Sequence, residues 1–459
     1  MDIEETDIVV IGMGPGGEDA AGRLAEAGLH VTGVEAKLVG GECPYWGCVP
    51  SKMMIRAGNL LAEARRIPGM AGASAVGPDW GPVARRIREE ATDSWDDKVA
   101  VDRFTGKGGH FVRGRGRITG LREVTADTAD GPQVFRTRRG ILVNTGTEPA
   151  IPPVRGLAGT PYWTNREAIE TEEVPESLVV LGGGAVGAEL AQVFARFGAR
   201  VSVVEALPRL LPADEPEAGQ LLAGVFEREG IAVRAGIQAE RVNHDGSQFT
   251  VNVADGDMLT GQRLLVATGR RADLAALGVG AYGVDEEAAI IGTDDRMRAA
   301  DGLWAIGDIT GKGAFTHVSI YQAAIATRDI LGQGGPPADY RAVPRVTFTD
   351  PEVGSVGLTE AQARKQGLAV RTGITQLPSS ARGWIHKAGN DGFIKLIEDA
   401  QRGALVGATS AGPVGGEVLG ALAVAVHGQV PVADLRNMIY AYPTFHRAIE
   451  DALRDLASR

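Results

Sequence analysis

The sequence predicts an α/β protein with two doubly wound strand–helix–strand domains, followed by an α+β domain at the C-terminal end. The main observation is a gapless internal repeat, in which residues 8–36 (IVVIGMGPGGEDAAGRLAEAGLHVTGVEA) align with residues 178–206 (LVVLGGGAVGAELAQVFARFGARVSVVEA). A chain of 459 residues allows about three domains at roughly 150 residues each. Beyond the linker-like segment GQGGPPADY at 332–340, the predicted strands and helices follow each other in a different pattern.

Each copy of the repeat carries a G-x-G-x-x-G turn between a strand and a helix, and a glutamate ends the next strand 18 residues after the last glycine. The first glycine allows a tight turn, the second lets a pyrophosphate approach the backbone, and the third lets helix and strand pack closely. Unpaired N–H groups at the helix N-terminus then attract the pyrophosphate. The repeat therefore predicts two bound dinucleotides. The residues are Gly12, Gly14, Gly17 and Glu35 in the first copy, and Gly182, Gly184, Gly187 and Glu205 in the second.

Between and after the two units, the pattern predicts helices through Arg65 and from about 82 to 99, and short strands from 108 to 144. The second unit runs from about 175 to VATGR at 266–270. WAIGD at 304–308 predicts a strand that ends in an acid, followed by a helix through Leu331.

The formal net charge is −11, from 47 Lys+Arg and 58 Asp+Glu. This excess of acid argues against nucleic acid or an anionic membrane as the main partner. No apolar run reaches the roughly 18 to 20 residues that span a bilayer, and the run 418–426, broken by Gly420, predicts a buried helix. The start MDIEETDIVVIG leads directly into a strand, without a signal-peptide pattern. Two cysteines cannot form a secreted-type disulfide framework, so we predict a reducing, cytoplasmic location.

Both cysteines lie in GGECPYWGCVPSK at 40–52, just after the first unit. Cys43 and Cys48 are too isolated for a structural zinc site, which needs four ligands, and we expect no resident metal. Two buried free thiols are one interpretation. The stronger interpretation is a redox-active disulfide at the start of a helix, where the helix dipole lowers a thiol pKa.

With this block, the sequence resembles the flavin-dependent pyridine-nucleotide disulfide oxidoreductases, the family of dihydrolipoamide dehydrogenase, glutathione reductase and mercuric reductase. The resemblance extends over essentially the whole chain, through NTGTEP at 144–149, VATGRRAD, WAIGD and FTDPEVGSVGLTE at 348–360. It implies a glutathione reductase-like fold, FAD and NAD(H) as cofactors, and a homodimer. The implied domains are a first FAD-binding segment with the cysteine loop (1–150), an NAD(P)-binding domain (151–272), a second FAD-binding segment (273–340) and a dimerisation domain (341–459).

The resemblance also implies residue roles. FAD lies along the first glycine turn with Glu35 on its ribose and Asp308 closing the site, while the nicotinamide nucleotide binds the second turn and passes hydride to the flavin. Cys48 is the flavin-facing thiolate and Cys43 the interchange thiol, with Lys52 and Glu189 as an ion pair near the flavin. Because a carboxylate at Glu205 repels a 2′-phosphate, NADH is preferred over NADPH, unless Arg209 reaches the ribose. Further implied contacts are Lys52, Gly116, Thr145, Gly146 and Thr316 for FAD, and Gly269 for NAD.

The C-terminal stretch YAYPTFHRAIEDAL at 440–453 departs from the family pattern H-P-x-x-x-E, because Tyr442 stands at the His position and Arg447 at the Glu position. A phenol is a poor proton shuttle at neutral pH. We therefore expect weak exchange with ordinary disulfides, although Tyr442 keeps the catalytic position. His446 and Glu450 are either a displaced dyad or an exposed helix pair.

The small-molecule electron acceptor stays open. Mercuric reductase also has Tyr at this position, but this sequence has no further cysteine for a metal relay. Tyr45 and Trp46 are either packing residues or an aromatic entrance for a planar acceptor such as a quinone. The alternatives are a mercuric, metal-ion or quinone reductase and, in another class, a flavin redox sensor.

Overall fold

The computed structural model describes residues 3–458. Its helices are α1 (Pro15–Glu26), α2 (Glu42–Tyr45), α3 (Cys48–Arg65), α4 (Gly81–Arg86), α5 (Lys98–Gly106), α6 (Asn165–Glu170), α7 (Ala185–Arg196), α8 (Pro216–Arg228), α9 (Leu274–Leu277), α10 (Thr316–Ile330), α11 (Glu360–Lys365), α12 (Ala381–His386), α13 (Gly415–His427), α14 (Val432–Asn437) and α15 (Ala448–Ser458).

The strands are β1 (Ile3–Ile11), β2 (Val31–Glu35), β3 (His110–Arg113), β4 (Arg115–Gly120), β5 (Glu123–Thr128), β6 (Gly131–Val143), β7 (Glu148–Pro149), β8 (Ser177–Leu181), β9 (Arg200–Glu205), β10 (Ala232–Ala235), β11 (Ala239–His244), β12 (Phe249–Val253), β13 (Met258–Gly261), β14 (Arg263–Val266), β15 (Arg270–Arg271), β16 (Arg298–Ala300), β17 (Leu303–Ala305), β18 (Pro344–Thr347), β19 (Glu352–Gly357), β20 (Val370–Gln376), β21 (Phe393–Asp399) and β22 (Ala404–Gly412).

The chain divides into two compact units, each built from separate stretches of sequence. The division into two FAD-binding segments, an NAD(P)-binding domain and a dimerisation domain remains a prediction. The first unit contains Met1–Pro50, Arg85–Ala150 and Arg270–Asp339, and the second contains Ser51–Ala84, Ile151–Gly269 and Tyr340–Arg459.

The first unit is organised around one sheet with the strand order β16-β17-β6-β1-β2-β3. The strands from β17 to β3 are parallel, and β5 extends the sheet as an antiparallel neighbour of β6. Apolar side chains from β1, β2, β6 and β17 are buried on this sheet. Because buried parallel strands read as continuous apolar runs, the segments 8–11 and 141–143 were recognisable in the sequence.

The second unit contains three sheets: a parallel sheet in the order β10-β9-β8-β14, an antiparallel sheet β11-β12-β13, and an antiparallel sheet in the order β18-β19-β22-β21-β20. The last sheet and helices α13 and α15 share one hydrophobic core. This change from parallel to antiparallel pairing corresponds to the different strand and helix pattern predicted for the last 120 or so residues.

The internal repeat is confirmed in the strand register. Ile8 pairs with Val31 in the first unit, and Leu178 pairs with Val201 in the second, so the same pairing recurs 170 positions later. The amide of Gly12 donates to Val34 O at 2.9 Å, and the equivalent amide of Gly182 donates to Val204 O at 2.8 Å. The predicted pair of strand–helix–strand units is therefore present.

The helix predicted from about 82 to 99 is interrupted, which corrects that expectation. Helix α4 continues into a π-helical turn (Ile87–Ala91), and α5 starts only at Lys98. Between them, three consecutive residues other than glycine have positive φ: Asp93 (48°), Ser94 (58°) and Trp95 (59°). The polar pattern of this stretch allows a helix, but tertiary packing places it in a left-handed turn.

The run 418–426 lies within α13, and Val418, Leu419 and Leu422 are buried against the C-terminal sheet. The run is therefore helical and buried on one face, whereas Val424 on the other face is 69% exposed. No helix within residues 3–458 is long and apolar enough to cross a membrane.

Candidate functional site

The first glycine turn can accommodate nothing larger than glycine at two of its three positions. At Gly12, with φ of 91°, an added Cβ would lie 2.5 Å from Asn144 O. At Gly17 it would lie 2.1 Å from Gly12 O, because α1 packs directly on the turn. At Gly14 the nearest atom, Asn144 Nδ2, is 3.2 Å away.

The second turn repeats this arrangement. An added Cβ would lie 2.3 Å from Ala267 O at Gly182, where φ is 106°, and 2.0 Å from Gly182 O at Gly187. Gly184 differs, because its φ of −73° suits any residue and an added Cβ would meet no atom within 4 Å. The protein itself therefore does not require glycine at 184. The open space lies at the N-terminus of α7, where free N–H groups favour an anion, and it fits a pyrophosphate.

The two glutamates that end β2 and β9 occupy equivalent positions. Glu35 accepts hydrogen bonds from the amides of Met13 (2.8 Å) and Lys37 (2.7 Å). Glu205 accepts from the amides of Gly183 (2.6 Å) and Leu207 (2.7 Å). Burial raises the pKa of Glu35, and its two amide bonds oppose that shift. Each carboxylate is held beside its glycine turn, as a ribose-binding group requires.

Asp308, predicted to close the FAD site, lies after β17 in the first unit. Thr147 Oγ1 donates to its carboxylate at 3.1 Å, and Arg270 Nε donates to Thr147 Oγ1 at 2.9 Å. Burial raises the pKa of Asp308, while the charge of Arg270 and the bond from Thr147 lower it.

The cysteine loop forms the short helix α2 and the start of α3. Cys43 is partly buried within α2, whereas Cys48 is exposed as the first residue of α3. Both are free thiols whose sulfur atoms lie within hydrogen-bonding reach of each other. Cys48 Sγ is 3.7 Å from Thr316 Oγ1, so Thr316 contacts the cysteine pair.

The two thiols are not equivalent. The hydrogen bond to Cys48 raises the pKa of Cys43, burial raises it further, and the bond to Thr316 opposes the shift. The helix that was expected to lower a thiol pKa begins at Cys48, and Cys43, whose pKa is raised, precedes it. The N-terminus of α3 therefore favours negative charge on Cys48 rather than on Cys43.

Lys52 and Glu189 form an ion pair within the second unit. Their Nζ and Oε2 atoms are 2.8 Å apart, and Glu189 has only 7% of its side chain exposed. Glu189 also accepts from the amide of Phe348 at 2.8 Å, and Lys52 Nζ lies 4.6 Å from the centre of the Phe348 ring. This pair is fixed by three separate segments of the chain.

The remaining predicted cofactor residues are Gly116 on β4, Thr145 and Gly146 after β6, and Gly269 after β14. Gly116 packs against the side chains of Ile11 and Val34, so a larger residue would displace the sheet. Thr145 is exposed, and its Cα lies next to Gly12. Gly269 has φ of 126° and open space around its Cβ position. Their contacts with cofactors remain predictions.

Comparison with known proteins decides the family. Residues 6–326 match the family model of the pyridine nucleotide-disulphide oxidoreductases, and residues 343–453 match the dimerisation domain of the same family. The chain belongs to the pyridine nucleotide-disulphide oxidoreductases.

Several relatives of this oxidoreductase resemble it over nearly its whole length. The dihydrolipoyl dehydrogenase of Chlorobaculum tepidum is 34% identical, covering 98% of this chain and 96% of the relative. The mercuric reductase of Shewanella putrefaciens is 34% identical, covering 95% of this chain and 78% of the relative. The crystal structure of LpdA from Mycobacterium tuberculosis has a TM-score of 0.85 at 27% identity, covering 98% and 99% of the two chains.

A fourth comparison adds a second solved structure. RclA, the HOCl-induced flavoprotein disulfide reductase of Escherichia coli, has a TM-score of 0.84 at 25% identity, covering 98% of this chain and 99% of RclA. The predicted family, its glutathione reductase-like fold and its enzyme class are confirmed, as are FAD and NAD(H) as the family's cofactors.

The segment predicted to depart from the family pattern lies just before the last helix, α15. Tyr442 is 69% exposed, and the Arg447 guanidinium lies 5.4 Å from the centre of its ring. Glu450 forms ion pairs with Arg447 (3.1 Å) and Arg454 (2.6 Å). His446 Nε2 lies 3.4 Å from Thr444 Oγ1. These contacts direct the Glu450 carboxylate to the two arginines. His446 precedes α15, and both His446 and Glu450 are half-buried, so the expected exposed helix pair is wrong.

Sequence reasoning missed three polar residues that organise the FAD side of the enzyme. Asn144 donates to Gly12 O at 3.3 Å and accepts from Ser319 Oγ at 3.1 Å. Thr147 and Arg270 support Asp308, as described above. Asn144 and Thr147 lie in the NTGTEP block and Arg270 ends VATGR, so the motifs were visible but the role of each side chain was not.

Within residues 3–458 there is no group of three or more His, Cys, Asp or Glu side chains placed to hold a metal ion.

Proposed function

We propose that this oxidoreductase passes electrons from NADH, through FAD, to the Cys43–Cys48 pair and onward to a small-molecule acceptor of the disulfide type. The observation that carries the proposal is the paired but unequal thiols, one partly buried with a raised pKa, the other exposed at the start of α3. When bound, FAD supplies the relay between a hydride donor and a disulfide.

The two cysteines divide the exchange reaction between them. Cys43, once deprotonated, attacks one sulfur of the acceptor disulfide, forms a mixed disulfide and releases the first thiolate. Cys48 as a thiolate then attacks Cys43 Sγ, closes the Cys43–Cys48 disulfide and releases the second thiolate. The asymmetry supports these roles, because the α3 N-terminus favours charge on Cys48 and the hydrogen bond to Cys48 raises the pKa of Cys43.

The nucleotide choice rests on Glu205 and Arg209. Glu205 is buried at the end of β9 and presents a carboxylate beside the second turn. The Arg209 guanidinium donates to Pro212 O (3.0 Å) and Asp214 O (3.1 Å), which ties it to its own loop. An arginine held in this way does not neutralise a 2′-phosphate, so we expect NADH to be used in preference to NADPH.

We expect proton delivery to the leaving thiolate to be the slow step. Tyr442 replaces the imidazole of related enzymes, and a phenol with a pKa of about 10 releases and takes protons slowly near neutrality. The Glu450 carboxylate, which could act as a base, is engaged by Arg447 and Arg454. We therefore expect slow reduction of dihydrolipoamide-type and glutathione-type disulfides.

The quaternary structure belongs to the same proposal. The dimerisation domain match at 343–453, together with exposed apolar side chains on that segment, supports a homodimer. Trp384 is 77% exposed and Ile439 is 95% exposed, and burying such side chains favours association. The cytoplasmic location remains a prediction. A redox dithiol supports it, because such a pair needs a compartment that keeps thiols reduced.

A metal-ion reductase is the second candidate. It is favoured by the similarity to mercuric reductases and by two thiols suited to soft ions. The quinone and redox-sensor alternatives have no specific observation in their favour.

An acceptor screen with purified holoenzyme tests the proposal, measuring NADH oxidation with disulfides, Hg(II), Cu(II) and quinones. Cys43→Ser should abolish disulfide and mercury reduction while leaving dye-linked NADH oxidation intact. Ser74→Ala, a change at an exposed serine, is the matched control. If Cys43→Ser retains full activity with the best acceptor, the cysteines are not on the electron path and the proposal is wrong.

A further inference from the structure

A cavity of about 360 Å³ opens beside Cys43 within the first unit. Helix α1 contributes Pro15 and Glu18 to its walls, α2 contributes Cys43 and Tyr45, and α5 contributes Val99 and Arg103. The cavity is large enough for a small organic disulfide, and Cys43 is the thiol that exchanges with the acceptor in the proposed function. What lines this cavity therefore selects the acceptor.

Acidic side chains outnumber basic ones on its described walls. Glu18, Asp93 and Asp96 line the cavity, and Arg103 is the basic residue that lines it. Arg103 lies 2.5 Å from the carboxylate of Glu18, which has 16% of its side chain exposed, so these two charges largely cancel. Asp93 and Asp96 are exposed and leave the cavity with a net negative charge.

The phenol of Tyr45 lies within reach of the same carboxylates. Burial, which is the largest cause, and the charges of Asp97, Glu18 and Asp96 together raise the pKa of its phenol to about 12. Arg103 acts in the opposite direction. A group that resists ionisation beside several carboxylates marks a site where an additional negative charge is unfavourable.

The backbone holds the two exposed carboxylates in place. Asp93 begins the left-handed turn that follows the π-helical turn, and the carboxylate of Asp96 accepts from the amide of Lys98 at 2.7 Å. Asp93, Ser94 and Trp95 all have φ in the left-handed region, which is unfavourable for residues other than glycine, so the surrounding structure fixes this turn. The charges are therefore presented at the cavity by a defined conformation.

We propose that this cavity selects acceptors that carry positive charge, accepts neutral ones less well and rejects anionic disulfides, an inference that rests on the proposed function of Cys43. The class of substrate is a disulfide, or another thiol-reactive acceptor, with an ammonium or similar cation near the reacting atom. Asp93 and Asp96 are the specificity-determining residues. Clefts lined by one sign of charge change encounter rates by factors of about 10 to 1,000.

The direct test measures the chemical modification of Cys43 and does not require turnover. In Cys48→Ser holoenzyme, Cys43 is the single thiol of the chain. The reagents are a trimethylammonium and a sulfonate derivative of ethyl methanethiosulfonate. Each forms a mixed disulfide with the Cys43 thiolate and releases methanesulfinate. Dividing the cation-to-anion rate ratio by the same ratio for 2-mercaptoethanol removes the intrinsic reactivity of the reagents.

We expect a normalised ratio of about ten in favour of the cation, decreasing as salt screens the charges. Adding Asp93→Asn and Asp96→Asn should bring the ratio close to one, and asparagine preserves the left-handed turn and the bond to Lys98. The control pair Asp285→Asn and Asp301→Asn removes the same charge from exposed sites of the same unit and should leave the ratio unchanged. A normalised ratio of one or less, or one that both pairs change equally, overturns the inference.

Measuring kcat/KM with three disulfides of different charge tests this inference separately from the proposed function. With unmodified cysteines, kcat/KM should fall from cystamine to 2-hydroxyethyl disulfide to 3,3′-dithiodipropionate. If none of the three is reduced, the proposed disulfide acceptor is wrong, and the modification ratio still tests the charge selection. If all three are reduced equally well, the proposed function is supported and the charge selection is overturned.

Discussion

Gly184 should be required for NADH and not for the fold, and Gly184→Ala tests this. The backbone at 184 has φ of −73° and ψ of −175°, which suits alanine, and the new Cβ would meet no protein atom within 4 Å. Replacing glycine at a compatible position gains about 0.4–1 kcal/mol through the unfolded chain. Alanine is a poorer N-cap by a similar amount. The free energy of unfolding should therefore change by less than about 1 kcal/mol.

Binding of NADH should respond differently. The added methyl group enters the space at the α7 N-terminus and separates the pyrophosphate from the free N–H groups. Losing one hydrogen bond to a charged group costs about 1.5–3 kcal/mol, which weakens Kd roughly 10- to 150-fold. Titration of the holoenzyme with NADH and steady-state KM measure this effect, and FAD content should stay constant.

Gly182→Ala is the contrasting control in the same turn. Its φ is 106°, and the new Cβ would lie 2.3 Å from Ala267 O, so this change must strain the fold itself. We expect a lower Tm for Gly182→Ala and an unchanged Tm for Gly184→Ala. Unchanged NADH affinity in Gly184→Ala would refute the assignment of the open space to the pyrophosphate.

Three further predictions concern charge. Because burial raises the pKa of Asp308, this group stabilises the native apoprotein below the ordinary pKa of an aspartate and loses that contribution as pH rises through the raised value. Near neutral pH, the Asp308→Asn apoprotein should be at least as stable as the wild type. In acid, where protonated Asp308 stabilises the wild type, the stability of the variant relative to the wild type should decrease. A Tm difference that stays constant between pH about 4 and about 7 would contradict this. Tyr442→His combined with Arg447→Glu should raise kcat/KM for lipoamide or glutathione disulfide by about 100-fold, as expected for restored acid–base catalysis. No gain would mean that access to the cavity limits the reaction. Arg196, 3% exposed, bridges Glu229 (2.6 Å) and Asp350 (2.8 Å), so Arg196→Met should cost about 3–5 kcal/mol of unfolding free energy in urea. The exposed pair of Arg228 with Asp391 provides the control, since Arg228→Met should cost less than about 1 kcal/mol, and equal losses would contradict the role of burial.

Much of the cofactor architecture was predictable because its constraints are local in sequence. Gly12 and Gly182 need positive φ, and the spacing to Glu35 and Glu205 is set by one helix and one strand. The register of β1 with β2 and of β8 with β9 follows from these lengths. The two copies of the repeat, which lie 170 residues apart in the sequence, therefore have the same strand pairing in the structure.

The contacts around the cysteine pair were less predictable. Thr316 reaches Cys48 from a position 268 residues later in the chain. Asp96, which lines the same cavity as Cys43, lies in a stretch whose sequence pattern predicted a helix. No periodicity in the sequence indicated the left-handed turn that presents it.

The sequence by itself determined the two dinucleotide-type units, the redox cysteine pair and the departure from the family at Tyr442, because each depends on residue type at a fixed short spacing. Only the tertiary structure decided that burial and the bond to Cys48 raise the pKa of Cys43, that Arg209 is tied to its own loop, and that Asp93 and Asp96 line the cavity beside Cys43. The physical reason is that burial, partner choice and electrostatic potential depend on which distant segments pack together, and spacing along the chain does not specify that packing.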